Sequence, residues 1–478
     1  MSDDERTAIR DTAKYMREVR PIDPEEIYEY VESQPHPAVV RQTLREEAFD
    51  LGLVETDEGT FVPVDEDPVA TGVERVDRFP DEYGTVLEEL LVTEYGVDWS
   101  EGDSGDALRE RIRKLKDAYY RQHPVEYDYE AALGYGIYHL PDYYAVVQYA
   151  LADLIERRLL PRKLRVLDVG AGVGGPALGL CDLLPDDALV EYHAVEPSEA
   201  SDVLASMLDE TGRNVHTEIH RERAEAFEPT AVDGDDEFDL VVFGNVLSEL
   251  DDPIAVARRY LDVLAPAGSL LALAPADRNT STELRAVERA LADDPSGPGA
   301  TVYSPTVRLW PGESPTDRGW SFDVKPDLEV PAFQQRLEDA ASGPDHHQGE
   351  FVNVDVQFSH SILRTDGKRR LDVTPNPDRW AKMADMEDHV SNRIDLVALK
   401  LSHSLSDGGN PLFKISDGSE SVEHYAVLTR ETSLNSDLAD AGYGDLLAFE
   451  SVLALWNDDE GAYNLVVDEE TVIDAMVA

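Results

Sequence analysis

The segment RVLDVGAGVGGP, residues 165–176, decides the fold of this chain. It begins as a continuous apolar strand, turns through Gly170, Gly172 and Gly174, and enters a helix near Pro176. Glycine suits such a turn because the backbone must bend sharply and let a ligand approach without a Cβ in the way. The segment therefore predicts a strand, a glycine-rich turn and a helix that together hold a ligand.

A second apolar strand is predicted over residues 190–195, and it ends at Glu196. This acid follows the glycines by about twenty residues, a spacing at which a carboxylate accepts hydrogen bonds from both hydroxyls of a ribose. Nicotinamide cofactors use similar geometry, so the spacing alone leaves more than one cofactor class open.

Asp168 lies two residues before the first glycine, inside the end of the first strand. This arrangement resembles motif I of the class I S-adenosylmethionine-dependent methyltransferases. The segments FDLVVFGNVLSEL (238–250) and LDVLAPAGSLLALA (261–274) resemble the later motifs of the same superfamily, with a fourth and a fifth strand. The resemblance implies S-adenosylmethionine as the cofactor. It also implies an α/β fold, in which a Rossmann-like sheet carries helices on both faces.

The resemblance assigns roles to individual positions. Asp168 would orient the turn and meet the methionine amino group of the cofactor, and Asn245 would lie beside its methionine end. Glu225 is the candidate for the adenine side, because Arg223 stands where the family commonly has an acid, but a solvated helix-start role suits Glu225 equally. The predicted cofactor-binding set is Asp168, Gly170, Ala171, Gly172, Gly174, Glu196, Pro197, Glu225 and Asn245.

A narrower resemblance rests on YGIYHLPDYY (135–144), NVLSEL (245–250), YSP (303–305), SP (314–315) and WSF (320–322). Together these segments resemble the methyltransferase-like assembly factors of the mitochondrial small ribosomal subunit, over residues 119–408. The resemblance implies a partner in the small ribosomal subunit or its rRNA, and a role in ribosome assembly or translation.

Many members of that family hold an iron–sulfur cluster through cysteines. Here Ser304, Ser314 and Ser321 occupy three matching positions, and Ser402 is the candidate for a fourth. Neutral hydroxyls do not replace thiolates as cluster ligands, so we expect no iron–sulfur cluster and no other metal site. The alternative, that these serines are unrelated loop residues, stays open.

The two ends of the chain differ from its centre. Residues 23–64 predict a helix, a second helix ending at Gly52, and a hairpin, which is the order of a winged-helix-like module. Arg41 and Arg45 would serve nucleic-acid contact there, whereas the acids beside them favour a packing role. Beyond Ile394, short strands predict a β-rich domain, for which an oligonucleotide-binding barrel is one candidate.

The predicted domains are a winged-helix-like module (1–68), a linker and helical lead-in (69–160), a methyltransferase domain (161–370) with an insertion at about 276–350, and the β-rich domain (371–478).

The 478 residues carry a formal net charge of −57, and the carboxylates run through every segment. This excludes a basic nucleic-acid footprint and resembles the surfaces of proteins from extreme halophiles, so we expect salt-dependent folding. Cys181 is the only cysteine, which excludes an intrachain disulfide. The acidic start is unlike a signal peptide, and no apolar run reaches membrane-span length, so we expect a cytoplasmic protein. The oligomeric state stays open.

The sequence names no obvious catalytic residue. His139 and His360 are candidate bases, although such histidines more often have structural roles, and His346 and His347 are expected in an exposed loop. Three functions stay open: a ribosome- or RNA-associated methyltransferase, a factor that binds the cofactor without transferring a methyl group, and a small-molecule methyltransferase whose segment 280–350 covers the substrate.

Overall fold

A computed structural model describes residues 2–70, 72, 75–121, 127–229, 237–297, 299–343 and 346–476. These residues form two compact units. Unit 1 comprises Met1–Val241 and Asp327–Val356, and unit 2 comprises Val242–Pro326 and Gln357–Ala478. Within the described part of the chain, no helix has both the length and the hydropathy that a membrane crossing needs.

The N-terminal module consists of short helices followed by a hairpin. Its elements are α1 (Asp3–Met16), α2 (Pro24–Ile27), α3 (Pro37–Glu46), α4 (Ala48–Leu51), β1 (Leu53–Glu55) and β2 (Phe61–Pro63). Gly52 has a φ of 62° and ends α4, as the sequence predicts for a terminating glycine. The second predicted helix is divided between α3 and α4 at Glu47. The sequence did not predict α1, because only Ile9, Ala13 and Met16 of its largely charged residues are buried.

The two arginines considered for nucleic-acid contact lie beside an acid of their own module. Arg45 donates two hydrogen bonds to the Glu55 carboxylate, and Arg41 Nε lies 3.8 Å from the same group. Glu55 is buried, so these contacts belong to the packing of the module. The pairing favours the packing role for this surface.

Three helices connect the module to the main sheet: α5 (Asp81–Tyr95), α6 (Gly102–Tyr120) and α7 (Tyr129–Glu156). The long helix α7 begins at Asp128, whose carboxylate caps it by accepting from Ala131 N, and it continues past Pro141. Most of its residues from Ala131 onward are buried, which makes it a central support of unit 1.

The main sheet alternates strands with helices. Its elements are β3 (Lys163–Val169), α8 (Gly175–Leu183), β4 (Leu189–Val195), α9 (Ala200–Leu208), β5 (Val215–His220), β6 (Phe238–Gly244), α10 (Pro253–Leu261), β7 (Leu264–Pro275), α11 (Arg278–Ala292), β8 (Thr301–Ser304), β9 (Asp323–Lys325), α12 (Ala332–Asp339) and β10 (Val356–Arg364). The strand order is β5-β4-β3-β6-β7-β10-β8, with β9 beside β10.

Strands β3, β4 and β5 are parallel, whereas β10 runs antiparallel to both β7 and β8. The predicted Rossmann-like α/β sheet is confirmed. The predicted insertion at about 276–350 contains β8, which is a strand of the sheet rather than an addition to it. Four residues give too short a pattern to identify such a strand from sequence.

The C-terminal domain is a β-barrel. Its elements are β11 (Arg393–Lys400), β12 (Leu412–Ser416), β13 (His424–Leu428), α13 (Asp437–Asp440), β14 (Leu446–Asn457), β15 (Ala462–Val467) and β16 (Val472–Ala475). The order β11-β12-β13-β15-β14 closes through a β11–β14 pairing, and β13 is parallel to β15. With α13 between its third and fourth strands, this is the connectivity of the oligonucleotide-binding barrel.

Candidate active site

The glycine-rich turn has the geometry that its sequence predicts. Gly170, Gly172 and Gly174 have φ values of 73°, 56° and 98°, in the region that favours glycine. A Cβ on Gly174 would lie 2.7 Å from Leu204 Cδ1 of α9, so the Leu204 side chain would have to shift, and the φ of 98° is strained for any other residue. The turn connects the carboxyl end of β3 directly to α8, where parallel α/β sheets bind ligands.

Asp168, at the end of β3, is fully buried. Its Oδ2 accepts a hydrogen bond from the Tyr192 hydroxyl at 2.7 Å, and its Oδ1 has no hydrogen-bond partner among the described residues. Burial raises the pKa of Asp168 to about 7, against the opposing effect of the Tyr192 hydrogen bond and with a smaller contribution from Glu196. A buried acceptor without a donor is unfavourable, so this oxygen fits a ligand that supplies a donor, such as an ammonium group.

Glu196 directly follows the last residue of β4, and its side chain reaches the glycine-rich turn after β3. It is buried, and its Oε2 accepts from Gly172 N at 2.9 Å while its Oε1 accepts from Ser198 N at 2.9 Å and from the Ser198 hydroxyl. A carboxylate offers about four lone-pair sites, so capacity remains for a ligand hydroxyl. The hydrogen bonds fix the orientation of the carboxylate before any ligand binds.

The remaining residues of the predicted cofactor-binding set differ in burial and in their contacts. Ala171 is buried within the turn, whereas Pro197 is exposed. Glu225 is half-buried, with its Oε2 at 3.6 Å from Arg223 Nε. Asn245 belongs to unit 2, where it has a φ of 63° and its buried Nδ2 has no hydrogen-bond partner within the described ranges. A non-glycine residue in this conformation is strained, and such positions concentrate at functional sites.

A histidine and an acid on α7 form a pair that the sequence analysis only half identified. His139 Nδ1 lies 3.3 Å from Asp142 Oδ2, and Asn353 Nδ2 donates to the same oxygen at 3.0 Å. Burial raises the pKa of Asp142, although His139 and these hydrogen bonds oppose the rise. The sequence analysis missed Asp142 and Asn353. The spacing of His139 and Asp142, three residues apart on a helix, was the available signal for the acid.

Aromatic rings surround this histidine. His139 stacks on Tyr143 with ring centroids 5.2 Å apart, and Tyr135 lies 4.9 Å from the histidine ring. A Cβ on Gly175 would lie 2.8 Å from Tyr143 Cβ, so this part of α7 packs directly against the start of α8. The histidine and its aromatic neighbours therefore lie on the helix that borders the glycine-rich turn.

The other histidine candidates have structural surroundings. His360 is buried on β10, and burial followed by the charge of Arg285 lowers the pKa of its ring to about 3. Such a ring stays neutral and is a weak base. His346 is half-buried rather than exposed as predicted, because its Nε2 contacts Glu338 Oε1 at 3.0 Å, whereas His347 is exposed.

Three of the four serines that the sequence suggested as counterparts of cluster cysteines are buried in unit 2. Ser321 Oγ contacts the Tyr443 hydroxyl at 2.6 Å, and Ser402 Oγ accepts from Lys414 N at 2.8 Å. Ser304 is also buried, whereas Ser314 is exposed. Ser321 lines a cavity of about 10 Å³. Pro315, which follows Ser314, and Leu401, which precedes Ser402, line the same cavity. A cavity of this size has room for about one water molecule.

Buried charges line the same cavity. Glu288 is 1% exposed and pairs with Arg285 and Arg308, while the hydroxyls of Thr306 and Ser361 donate to it. Burial opposes ionisation of Glu288, but the two arginines overcome this effect and lower its pKa. The cavity wall is therefore a network of ion pairs. Removal of one member would leave the charge of its partner buried without compensation.

Comparisons with known proteins agree with this geometry. Residues 143–323 match the model of a methyltransferase domain. Residues 6–57 match the N-terminal domain, and residues 384–476 the C-terminal domain, of a family described as a domain of unknown function (DUF8157). No curated protein matches the chain.

Solved methyltransferase structures give weaker likenesses. The CcbJ methyltransferase from Streptomyces caelestis is 23% identical over 30% of this chain and 50% of its own, with a TM-score of 0.20. A putative methyltransferase from Thermoplasma acidophilum is 15% identical over 44% of this chain and 70% of its own, with a TM-score of 0.27. The CurJ carbon methyltransferase is 12% identical over 75% of this chain and 91% of its own, with a TM-score of 0.28. The chain thus spans half the length of CcbJ.

The strand order, the glycine-rich turn and the matched domain together define the class. The chain contains a class I methyltransferase domain, as the sequence predicts. S-adenosylmethionine is the cofactor of this domain, and the residues present fit it: Asp168 Oδ1 offers a buried acceptor for its amino group, and Glu196 offers a fixed carboxylate for its ribose.

Proposed function

We propose that this chain is an S-adenosylmethionine-dependent methyltransferase that uses His139 as a general base. The observation that carries the proposal is the glycine-rich turn of β3 with the carboxylate of Glu196 fixed across it by the Gly172 amide. The cofactor, when bound, supplies a sulfonium methyl group for in-line transfer. The protein then needs mainly to align the acceptor and to remove a proton where the acceptor carries one.

His139 is suited to removing that proton. Its Nδ1 lies 3.3 Å from both the Asp142 carboxylate and the Asn353 amide nitrogen. With the ring proton on Nδ1 toward Asp142, Nε2 is the basic nitrogen. Asp142 is held in turn by Asn353, which fixes the orientation of the pair. This arrangement supports an acceptor that loses a proton on methylation, such as a hydroxyl or an amine, bound among the rings of Tyr135 and Tyr143.

The test is methyl transfer from the labelled cofactor to separated small-molecule, protein and RNA fractions of a cell extract, in concentrated potassium chloride. We expect one fraction to accept the label, and His139→Gln to reduce the rate by about 10²–10⁴-fold at unchanged cofactor affinity. His347→Gln is the matched control and should leave the rate unchanged. Cofactor binding without labelling of any fraction would contradict catalysis and leave a binding-only factor.

A second candidate is action on or with the small ribosomal subunit or its rRNA. Two observations favour it. The barrel has the strand connectivity of oligonucleotide-binding barrels. Ser321 lines one cavity together with Pro315 and Leu401, the neighbours of Ser314 and Ser402. One observation opposes it. Strand β12 belongs to the face that such barrels use for ligands. Two side chains on its outer side already have partners within the chain, because Lys414 pairs with Asp317 and Ser416 donates to Glu420.

Sedimentation of the native protein with small-subunit precursors, in the salt of its own cytoplasm, tests this second candidate. Co-sedimentation that survives purification supports it, and labelling of the co-sedimenting rRNA would identify the acceptor. Sedimentation as free protein contradicts it and favours a small-molecule acceptor, with the segment 280–350 as the candidate substrate cover.

A further inference from the structure

Three side chains that can bind a metal ion lie together on two outer strands of the sheet. His193 is on β4, and Glu218 and His220 are on β5. The strands are parallel, with His193 opposite Glu218 and with His220 two residues further along β5. Because alternate residues of a strand share a face, all three side chains extend from the same side of the sheet.

The two distances from His193 Nδ1 suit a tetrahedral ion. His193 Nδ1 lies 3.2 Å from His220 Nε2 and 3.6 Å from Glu218 Oε2. Ligands at the usual zinc bond lengths are separated by about 3.3 Å around a tetrahedral ion. Neighbouring ligands around an octahedral ion with similar bonds lie only about 2.9 Å apart. The observed separations are nearer to the tetrahedral value.

A second carboxylate lies behind the ring of His193. His193 Nε2 is buried with no hydrogen-bond partner among the described residues, and Glu191 Oε2, which Arg165 Nε holds by a hydrogen bond, is 3.6 Å away. The other ring nitrogen, Nδ1, faces both His220 and Glu218. An ion bound through Nδ1 requires the proton of the neutral ring to be on Nε2, beside Glu191, and a carboxylate near the second nitrogen is common among metal-binding histidines.

The surroundings combine enclosure with access. His193 is 2% exposed and meets the edge of Phe238 at a centroid distance of 5.8 Å, while Phe227 lies 4.8 Å from the ring of His220. The Glu218 side chain is 64% exposed and gives an ion a path from solvent.

We propose that His193, Glu218 and His220 bind one divalent metal ion of the zinc class, with the fourth position open to water or another ligand. This departs from the expectation of no metal site. The site goes beyond methyl transfer and does not depend on it. Its connection to the cofactor site is short, because Glu196 N donates to the carbonyl of His220 at 3.0 Å. The ion therefore joins the ends of the two strands that support the adenosyl-binding carboxylate.

The experiment measures zinc binding to the full chain after dialysis against a chelator, in competition with a chromophoric chelator and without cofactor. We expect one zinc ion per chain in the wild type. Glu218→Gln and His220→Gln should each weaken zinc binding by at least about tenfold, and Glu191→Gln by about 10–100-fold through loss of the supporting carboxylate. His347→Gln, in an exposed loop, is the matched control and should bind like the wild type.

Folding defects do not remove the test, because the Glu218 side chain is largely exposed and its substitution leaves the core intact. Cobalt in place of zinc should give the strong visible absorption of a tetrahedral site, and Glu218→Gln should weaken that absorption. Uptake of no zinc by the wild type would overturn the proposal. Zinc binding by Glu218→Gln and His220→Gln at wild-type affinity would also overturn it. Neither outcome bears on the proposed methyltransferase function, which is tested separately by cofactor binding.

Discussion

Asp168→Asn should make the ligand-free protein more stable at high pH and should weaken cofactor binding. Burial raises the pKa of Asp168 from 3.8 to about 7. Because the folded value exceeds the unfolded one, the group disfavours folding increasingly as the pH rises from about 4 to about 7. Three units at 1.36 kcal/mol each give a penalty of about 4 kcal/mol above that range. Below it, the penalty disappears.

Asparagine removes this penalty but adds a smaller one. Its oxygen can still accept from the Tyr192 hydroxyl, while its amide group takes the place of Oδ1, which has no partner among the described residues. An unpaired buried amide costs about 1–3 kcal/mol, so the net gain above neutral pH is about 1–3 kcal/mol. The gain should fall to about zero or below near pH 5, where the wild type is largely relieved of its charge.

The assay is urea unfolding of both proteins in concentrated potassium chloride at about pH 5 and about pH 8, with Asp209→Asn on the surface as control. Cofactor affinity should fall about ten- to hundredfold, because a charge-assisted hydrogen bond is lost. A variant that is less stable than the wild type at both pH values would refute the ionisation argument. Unchanged cofactor affinity would refute the assignment of Asp168 Oδ1 to the amino group.

Three further predictions follow from packing and charge. Gly174→Ala should lower stability by about 1–3 kcal/mol and weaken cofactor binding, because a φ of 98° is strained for alanine in the turn and its Cβ would push against Leu204 Cδ1 at 2.7 Å; Gly96→Ala, with similar φ at the end of α5, should keep binding in the same calorimetric assay. Glu288→Gln should cost about 3–5 kcal/mol in urea unfolding, because Arg285 loses its buried partner, and wild-type stability would contradict the network. The melting temperature should rise from dilute buffer to molar potassium chloride, since a net charge of −57 repels itself; equal or greater stability in dilute buffer would discard this idea.

The sequence predicted the features that depend on neighbouring residues. The glycine-rich turn, the acid after the second strand and the hairpin after Gly52 are local patterns, and each has the geometry that its residues dictate. The C-terminal domain was predicted as β-rich, with an oligonucleotide-binding barrel as one candidate. Its strand order was not predicted, because that order depends on pairings such as β13 with β15 that lie far apart in the chain. The strand β8 was missed because its four residues give too short a pattern.

The candidate site was predicted in the same uneven way. Asp168 and Glu196 follow from their distance to the glycines; in the structure Glu196 accepts from Gly172 N in the turn, and Asp168 accepts from Tyr192 on β4. Asn353 reaches Asp142 from 211 residues away, a contact that no local spacing indicates. The metal-binding group depends on the register of β4 and β5, which sets His193 opposite Glu218. A shift of that register by one residue would separate them.

Calorimetric titration of S-adenosylmethionine and of its demethylated product, in concentrated potassium chloride, measures whether the glycine-rich turn and Glu196 bind an adenosyl ligand. We expect one binding site for each ligand in the wild type, and affinity at least about tenfold lower in Glu196→Gln, which loses charge and one acceptor toward Gly172 or Ser198. Glu210→Gln, in the exposed turn after α9, should bind like the wild type. Absence of heat with both ligands, from a protein shown to be folded, would rule out this site.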